Sequence, residues 1–159
     1  MKNKLNQFSQ RGASMIEMMG VLALGAIMIA ATFAIYRTTR MRIVRMSVSA
    51  DLADLANNSK TLFSARGNYA GISVGYLIKA GALKTERAPA IASQLIVQPE
   101  LEGKSFSINL TGMKYNDCVW ITTQKLDWAD AVYANDFREG NASDNCTDGR
   151  ENKVSIFVK

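Results

Sequence analysis

Histidine is absent from this sequence of 159 residues, and cysteine and proline occur only twice each. Histidine is the commonest metal ligand and the usual acid–base group near neutral pH, so its absence removes most catalytic and zinc-binding arrangements. Cys118 and Cys146 also lie too far apart for the usual zinc-ligand spacing. The sequence contains no P-loop and no G-x-G-x-x-G pattern. We therefore expect a protein that is not an enzyme and that holds no metal or cofactor.

Charge is absent from residues 18–36, although hydrophobic residues make up an ordinary 48% of the chain. About 20 apolar residues in a helix span the hydrocarbon core of a bilayer. A cleaved secretory signal would have a shorter apolar run followed by small residues. Here Tyr36, Arg37 and Arg40 follow instead. We therefore expect residues 13–36 to form a membrane-spanning helix that stays in the mature protein.

Beyond Tyr36 the pattern changes from uniformly apolar to amphipathic. Proline is absent from residues 13–66, and apolar residues recur at helical spacing; they are Met41, Val44, Val48, Leu52, Leu55 and Leu62. Gly67 is a typical residue at a helix end. The sequence thus predicts one long helix over residues 13–66, with an amphipathic second half over 37–66.

The remainder, residues 67–159, is predicted to be a small mixed domain. We expect a short helix between Ser73 and Ala80 and a connecting loop over 84–100 that contains the apolar piece 95–97. Alternating apolar residues predict strands over 105–112 and 154–158. The run 119–122 is interpreted as a further strand, 127–134 as a short helix, and 138–150 as a polar surface loop. The fold class is therefore α+β, with a long N-terminal helix packed on a small antiparallel sheet.

The cysteine pair favours one disulfide in an oxidising compartment, which would place the C-terminal domain outside the cytoplasm. Two reduced, buried thiols are the alternative. Basic residues flank the apolar segment on both sides, so their distribution does not set the orientation.

A carboxylate near the start of the apolar segment, Glu17, completes a recognisable pattern. A short basic leader, residues 1–12, ends at Gly12 and is followed by Ala13, Ser14, Met15 and Ile16. This arrangement resembles the prepilin class of signal in the type IV pilin family. The resemblance implies cleavage after Gly12 by a prepilin peptidase, N-methylation of Ala13, and a role for Glu17 in assembly.

Two further segments resemble the type IVb branch, including pilins of thin conjugative pili: IEMMGVLAL, and NYAGISVGYLIKAGALKTE after the long helix. The late cysteine pair is similar to the disulfide-bounded C-terminal region of that family. The resemblance implies a pilin-like fold, a precursor in the bacterial inner membrane with a periplasmic C-terminal domain, and an extracellular filament of identical subunits. Its other partners would be the assembly machinery and minor pilins, and its roles adhesion, cell contact or conjugation.

Charge pairing explains how Glu17 would act in the assembly of such a filament. After cleavage, Ala13 would carry a positive α-amino group, and a buried charge is tolerable only when it is paired. We expect Glu17 of one subunit to neutralise Ala13 of the next and so fix the register of the helices. A glutamate at the membrane interface of a plain anchor is the alternative.

The arginines that follow the apolar segment, from Arg37 to Arg45, have two interpretations. They form a collar near lipid headgroups, or they pair with Asp51 and Asp54 of a neighbouring subunit. Aromatic residues are not interleaved with these arginines, so we expect no specific nucleic-acid partner. Two alternatives to the pilus subunit stay open. One is a pseudopilin or minor pilin of a type II secretion or DNA-uptake machine, and the other is a plain single-span membrane protein with a periplasmic binding domain.

Overall fold

The computed structural model describes residues 15–84, 88–149 and 151–159. The predicted α+β class is confirmed: a long helix precedes a small antiparallel sheet with two shorter helices. The elements, in chain order, are α1 (Met15–Ser64), α2 (Val74–Lys79), β1 (Gln94–Glu100), β2 (Ser105–Met113), α3 (Tyr115–Thr123), β3 (Ala131–Ala134) and β4 (Asn152–Val158). Short 3₁₀ turns cover Leu101–Gly103 and Ala142–Asn145.

The chain divides into two compact units between Arg42 and Ile43, inside α1. The first unit is helical throughout its described part. The second unit contains the rest of α1 and all other elements, and it is called the head here.

One face of α1 supplies the helical side of the head's core. Val48, Leu52 and Leu55 are almost fully buried, at the spacing predicted from the sequence. Met41 is 51% exposed, so the buried face begins later than predicted. Towards the end of α1 the fully buried side chain is Phe63, whereas Leu62 is only partly buried.

The sheet supplies the opposite side of the core. Its strand order is β1-β2-β4-β3, and all neighbouring strands are antiparallel. Ile108 lies opposite Ile156 in the central pair β2–β4. The apolar residues that alternate along these two strands are all fully buried; they are Phe106, Ile108, Leu110, Val154, Ile156 and Val158. The polar residues between them, Ser107, Asn109 and Ser155, are buried as well, so apolar character alternates with period 2 but burial does not. The strands predicted over 105–112 and 154–158 are therefore confirmed.

Two predicted elements have the wrong type. Residues 119–122 belong to helix α3 and not to a strand. Cys118 and Ile121 are its buried residues, which is helical and not alternating spacing. Residues 131–134, predicted as the end of a helix, form strand β3, which pairs with β4. In both places the short apolar run fits either structure, and long-range packing decides.

The segment predicted as a loop over 84–100 ends in a strand. Leu95, Ile96 and Val97 lie in β1, and Pro99 pairs opposite Phe106 in the same strand. Proline is tolerated there because β1 is at the edge of the sheet, where one side of the strand makes no ladder hydrogen bonds. Although glycine near the end of an alternating run is typical of a turn, Gly112 lies within β2, at a shift of register between Leu110 and Met113.

The ends of the helices follow the predicted signals. The Ser73 hydroxyl accepts a hydrogen bond from the backbone N–H of Tyr76 and so caps α2. Gly67 has a positive φ of 69° and its N–H donates to the carbonyl of Phe63, which closes the end of α1. The predicted polar loop over 138–150 contains one 3₁₀ turn, and Arg150 lies outside the described residues.

Candidate assembly interface

The first half of α1 presents apolar side chains in every direction. Met15 and Ile16 are more than 80% exposed, and Phe33 and Ile35 are more than half exposed. This helix is long and apolar enough to cross a membrane, and none of its apolar stretch is buried against other residues that the structure describes. Apolar surface of this extent is unfavourable in water. The segment is therefore suited to lipid or to the apolar helices of other molecules.

Two hydroxyl groups in the first half of α1 bond to the backbone of their own helix. The hydroxyl of Thr32 donates to the carbonyl oxygen of Met28 at 2.7 Å, and that of Thr38 donates to Ala34 at 3.1 Å. A polar side chain that bonds to its own helix adds little penalty in an apolar environment. The two threonines are thus compatible with an apolar surrounding.

Glu17 lies in the first turn of α1 as the structure describes it. A negative charge is favourable at this end of a helix because the backbone N–H groups there carry partial positive charge. Gly12 and Ala13, the predicted cleavage and methylation sites, lie outside the described residues. The predicted pairing of Glu17 with the Ala13 amine of another subunit stays a prediction.

Gly20 and Gly25 open small gaps along the apolar helix. No atom lies within 4 Å of the position that a Cβ would take at either residue. The sequence supports two interpretations, close helix packing and local stretching of the helix. The open space within one chain is compatible with both.

The four arginines at the end of the apolar segment are not equivalent. The Arg37 guanidinium lies 5.0 Å from the centre of the Phe33 ring, and both Arg40 and Arg42 are exposed. Arg45 has a partner in its own chain: its Nη2 lies 3.0 Å from Oδ1 of Asp117. Arg45 therefore does not belong to the predicted headgroup collar or to a pairing with acids of a neighbour.

The Arg45 contact joins α1 to α3 inside the head. Arg45 Nε also donates to Asp117 Oδ1 at 3.3 Å, and Nη2 donates to the carbonyl of Asn116 at 3.1 Å. Its guanidinium lies 5.4 Å from the ring of Trp120. The Arg45 and Asp117 side chains are only 23% and 15% exposed, so solvent screens the pair weakly.

The disulfide predicted between Cys118 and Cys146 is confirmed. The two Cα atoms are 6.0 Å apart, which suits a disulfide. The bond ties α3 to the 3₁₀ turn Ala142–Asn145. Asp117 precedes Cys118 directly, so α3 is held both by the ion pair to α1 and by the covalent bond.

A buried amide that the sequence analysis missed organises the same region. Asn152 is fully buried. Its Nδ2 donates to the carbonyls of Met113 and Thr147, and its Oδ1 accepts from the N–H of Thr147 and from Nδ2 of Asn135. Every polar atom of this side chain is satisfied, as burial requires. The signal in the sequence was weak, because asparagine in a polar loop usually indicates only a turn.

Other polar residues of the head carry no arrangement typical of a catalytic site. Asp127 pairs with Lys125, at 3.8 Å and with both side chains almost fully exposed. Trp120 and Trp128 are partly buried against the core. Within the described ranges 15–84, 88–149 and 151–159, no group of three or more His, Cys, Asp or Glu residues is placed to hold a metal ion.

Comparison with known proteins identifies the fold. No protein-family model and no curated protein sequence matches the chain. Among solved structures, the chain is similar to the crystal structure of TcpA, a type IV pilin from the El Tor biotype of Vibrio cholerae. The TM-score is 0.57 at 11% sequence identity, and the match covers 73% of this chain and 99% of the TcpA chain. The chain therefore has the fold of a type IV pilin.

Proposed function

We propose that this chain is the structural subunit of a type IV pilus of the type IVb kind. One observation carries the proposal: the chain has a pilin fold, and its apolar helix has side chains that are not buried against any described part of the chain. Such a helix needs lipid before assembly and neighbouring helices afterwards. The membrane would supply the lipid, and polymerisation through residues 13–66 would then supply the neighbouring helices.

Processing precedes assembly in this proposal. The precursor is held in the bacterial inner membrane by residues 13–36, with the head in the periplasm, where a disulfide such as Cys118–Cys146 is stable. A prepilin peptidase removes residues 1–12 by cutting after Gly12, and Ala13 is methylated. The assembly machinery then adds the subunit to a filament that also contains minor pilins.

Glu17 sets the register of the helices during assembly. A carboxylate among apolar helices is costly without a partner. The α-amino group of Ala13 on the neighbouring subunit supplies the opposite charge at the same end of the helix. Helices slide along one another until the charges meet, and the apolar surfaces then pack. The exposed surface of the head would mediate adhesion, cell contact or conjugation.

The decisive measurement is intact-mass spectrometry of material sheared from the surface of the native host, beside the membrane fraction. For a pilus subunit, we expect a sheared chain that lacks residues 1–12, carries one added methyl group and has lost two hydrogens to the disulfide. A processed chain found only in the membrane would favour the pseudopilin or minor-pilin alternative. An uncut chain, with the peptidase present, would favour a plain membrane anchor and would refute the role of Gly12.

Substitution of Glu17 tests the register mechanism. Glu17→Gln keeps the shape but removes the charge, and we expect it to lower the filament yield at least about tenfold, since an unpaired buried charge commonly costs more than 1.4 kcal/mol. Glu151→Gln, the same change at an exposed position of the head, is the matched control and should leave the yield unchanged. The yield is measured as sheared subunit relative to processed subunit in the membrane. An unaltered yield for Glu17→Gln would rule out the mechanism.

A further inference from the structure

The arginines after the apolar segment fall into two pairs, each with i, i+3 spacing on α1. Residues at this spacing lie on the same face of a helix, about 5–6 Å apart between Cβ atoms. In the pair Arg42 and Arg45, the second member is held by Asp117 of its own chain. In the pair Arg37 and Arg40, both side chains are exposed. Only this second pair can offer two guanidinium groups together to another molecule.

Two aspartates further along α1, Asp51 and Asp54, have the same i, i+3 spacing. Both are exposed, and neither makes an ion pair with another residue that the structure describes. They line an open groove of about 440 Å³ in the head. Leu52, Leu55 and Leu95 contribute apolar surface to this groove, and Lys84 also lines it, so that the two aspartates still outnumber the cation. The combination suits a long cationic side chain, with carboxylates for the charged head group and apolar surface for the stem.

We propose that this groove, called the acidic groove here, receives Arg37 and Arg40 of a second copy of the chain. The proposal rests on the proposed function, because a filament brings parallel α1 helices side by side. The two pairs match in charge and in spacing, so both arginines can engage both aspartates in one arrangement. Arginine is well suited to such a contact because its planar fork binds a carboxylate through two hydrogen bonds.

The contact between the arginines and the acidic groove would fix the register of neighbouring helices at a second place, in addition to Glu17. The offset from Arg37 to Asp51 along the chain equals that from Arg40 to Asp54, so a single displacement of one helix along the other satisfies both pairs. A shift by one helical turn would leave one charge of each pair without its partner. The acidic groove therefore selects one stagger between subunits, whereas apolar packing alone discriminates little between neighbouring registers.

Cysteine cross-linking tests the contact directly. Among the described residues no cysteine is free, because Cys118 and Cys146 are bonded to each other. The variant Arg40→Cys with Asp54→Cys, made in the full-length chain in the native host, keeps Arg37 and Asp51 to guide docking. After treatment of sheared filaments with a bifunctional maleimide long enough to span an arginine–aspartate contact, we expect a ladder of covalently linked chains on denaturing gels. Each single cysteine variant is the control and can form dimers at most.

The outcomes separate this proposal from the proposed function. Filaments of normal yield without a ladder would overturn the contact and leave the pilus subunit standing. A cross-link from position 54 to a different protein would also overturn it. If the unmodified chain forms no sheared filaments, the proposed function fails and this inference fails with it.

Charge reversal tests the same contact if the cysteine variant does not assemble. Asp51→Arg with Asp54→Arg sets like charges against each other and should lower the filament yield about tenfold or more. Adding Arg37→Asp and Arg40→Asp should restore it to within about threefold of the unmodified chain. The matched control, Asp127→Arg with Asp130→Arg, changes two exposed head aspartates at the same spacing and should leave the yield unaltered. If the filament yield does not recover in the variant that carries all four substitutions, the pairing is refuted.

Discussion

The Arg45–Asp117 ion pair should make a measurable contribution to the stability of the head. Asp117→Ala removes the acceptor of two hydrogen bonds from Arg45, at 3.0 and 3.3 Å. Exposed pairs contribute about 0–1 kcal/mol, whereas breaking a buried pair costs about 3–5 kcal/mol. The side chains here are 23% and 15% exposed, and Arg45 keeps its bond to the carbonyl of Asn116. We therefore expect a loss of about 2 kcal/mol, between the two limits.

This loss should appear as a lower melting temperature of the full chain in detergent micelles. For a unit of this size, about 1 kcal/mol corresponds to roughly 4 °C, so Asp117→Ala should melt about 8 °C lower. Near-ultraviolet circular dichroism reports the packing of Trp120 and Trp128 in the head. The control Asp127→Ala disrupts the exposed pair with Lys125, whose side chains are 94% and 87% exposed, and should shift the free energy by less than about 0.5 kcal/mol.

A double-mutant cycle with Arg45→Met separates the ion pair from the other effects of each substitution. We expect a coupling free energy of about 1–2 kcal/mol between positions 45 and 117. Equal small shifts for Asp117→Ala and Asp127→Ala, with no coupling, would show that solvent screens the Arg45 pair as fully as a surface pair. The reasoning from burial would then be refuted.

Two further predictions concern the head alone. Replacing Cys118 and Cys146 together by serine should lower the free energy of unfolding by about 3–4 kcal/mol in denaturant titrations, because the bond closes a loop with a sequence separation of 28; an unchanged midpoint would contradict this. Gly112→Ala should destabilise the head by about 1–3 kcal/mol, since φ is +71° and the new Cβ would lie 2.6 Å from that of Ser93. The control Gly140→Ala has a similar φ of +74° but open space, so a clearly larger loss at Gly112 is the expected result.

Local patterns in the sequence predicted the elements whose periodicity extends over many residues. The buried face of α1 and the alternation in β2 and β4 are set by one side of each element facing the core. Ser73 and Gly67 were also predictable, because capping and left-handed backbone are requirements within a few residues. These features depend on nearby residues alone.

Short segments escaped prediction because distant residues decide their structure. Residues 119–122 are helical since Cys118 and Ile121 both reach the core from α3, a fact that no four-residue pattern contains. Strand β3 exists through its pairing with β4, which begins many residues later. The apolar segment of the candidate interface was likewise predictable from local composition, whereas the role of Glu17 stays a prediction. The Arg45–Asp117 pair and the buried Asn152 join residues far apart in sequence, and only the folded chain brings them together.

The residues that would assemble the filament and the residues that stabilise the head are almost separate sets. Among the described residues, full burial begins at Val48 and continues through the head, while residues 15–42 contain no fully buried side chain. The core of the head therefore contains no side chain from residues 15–42. The apolar helix can exchange lipid for other helices without any repacking of that core. Asp51 and Asp54 are the exception: they lie on the same stretch of α1 as the core residue Leu52 but point to solvent. Because the acidic groove lies on the core helix of the head, the proposed contact with the arginines of the next subunit would use the same stretch of α1 that packs against the sheet.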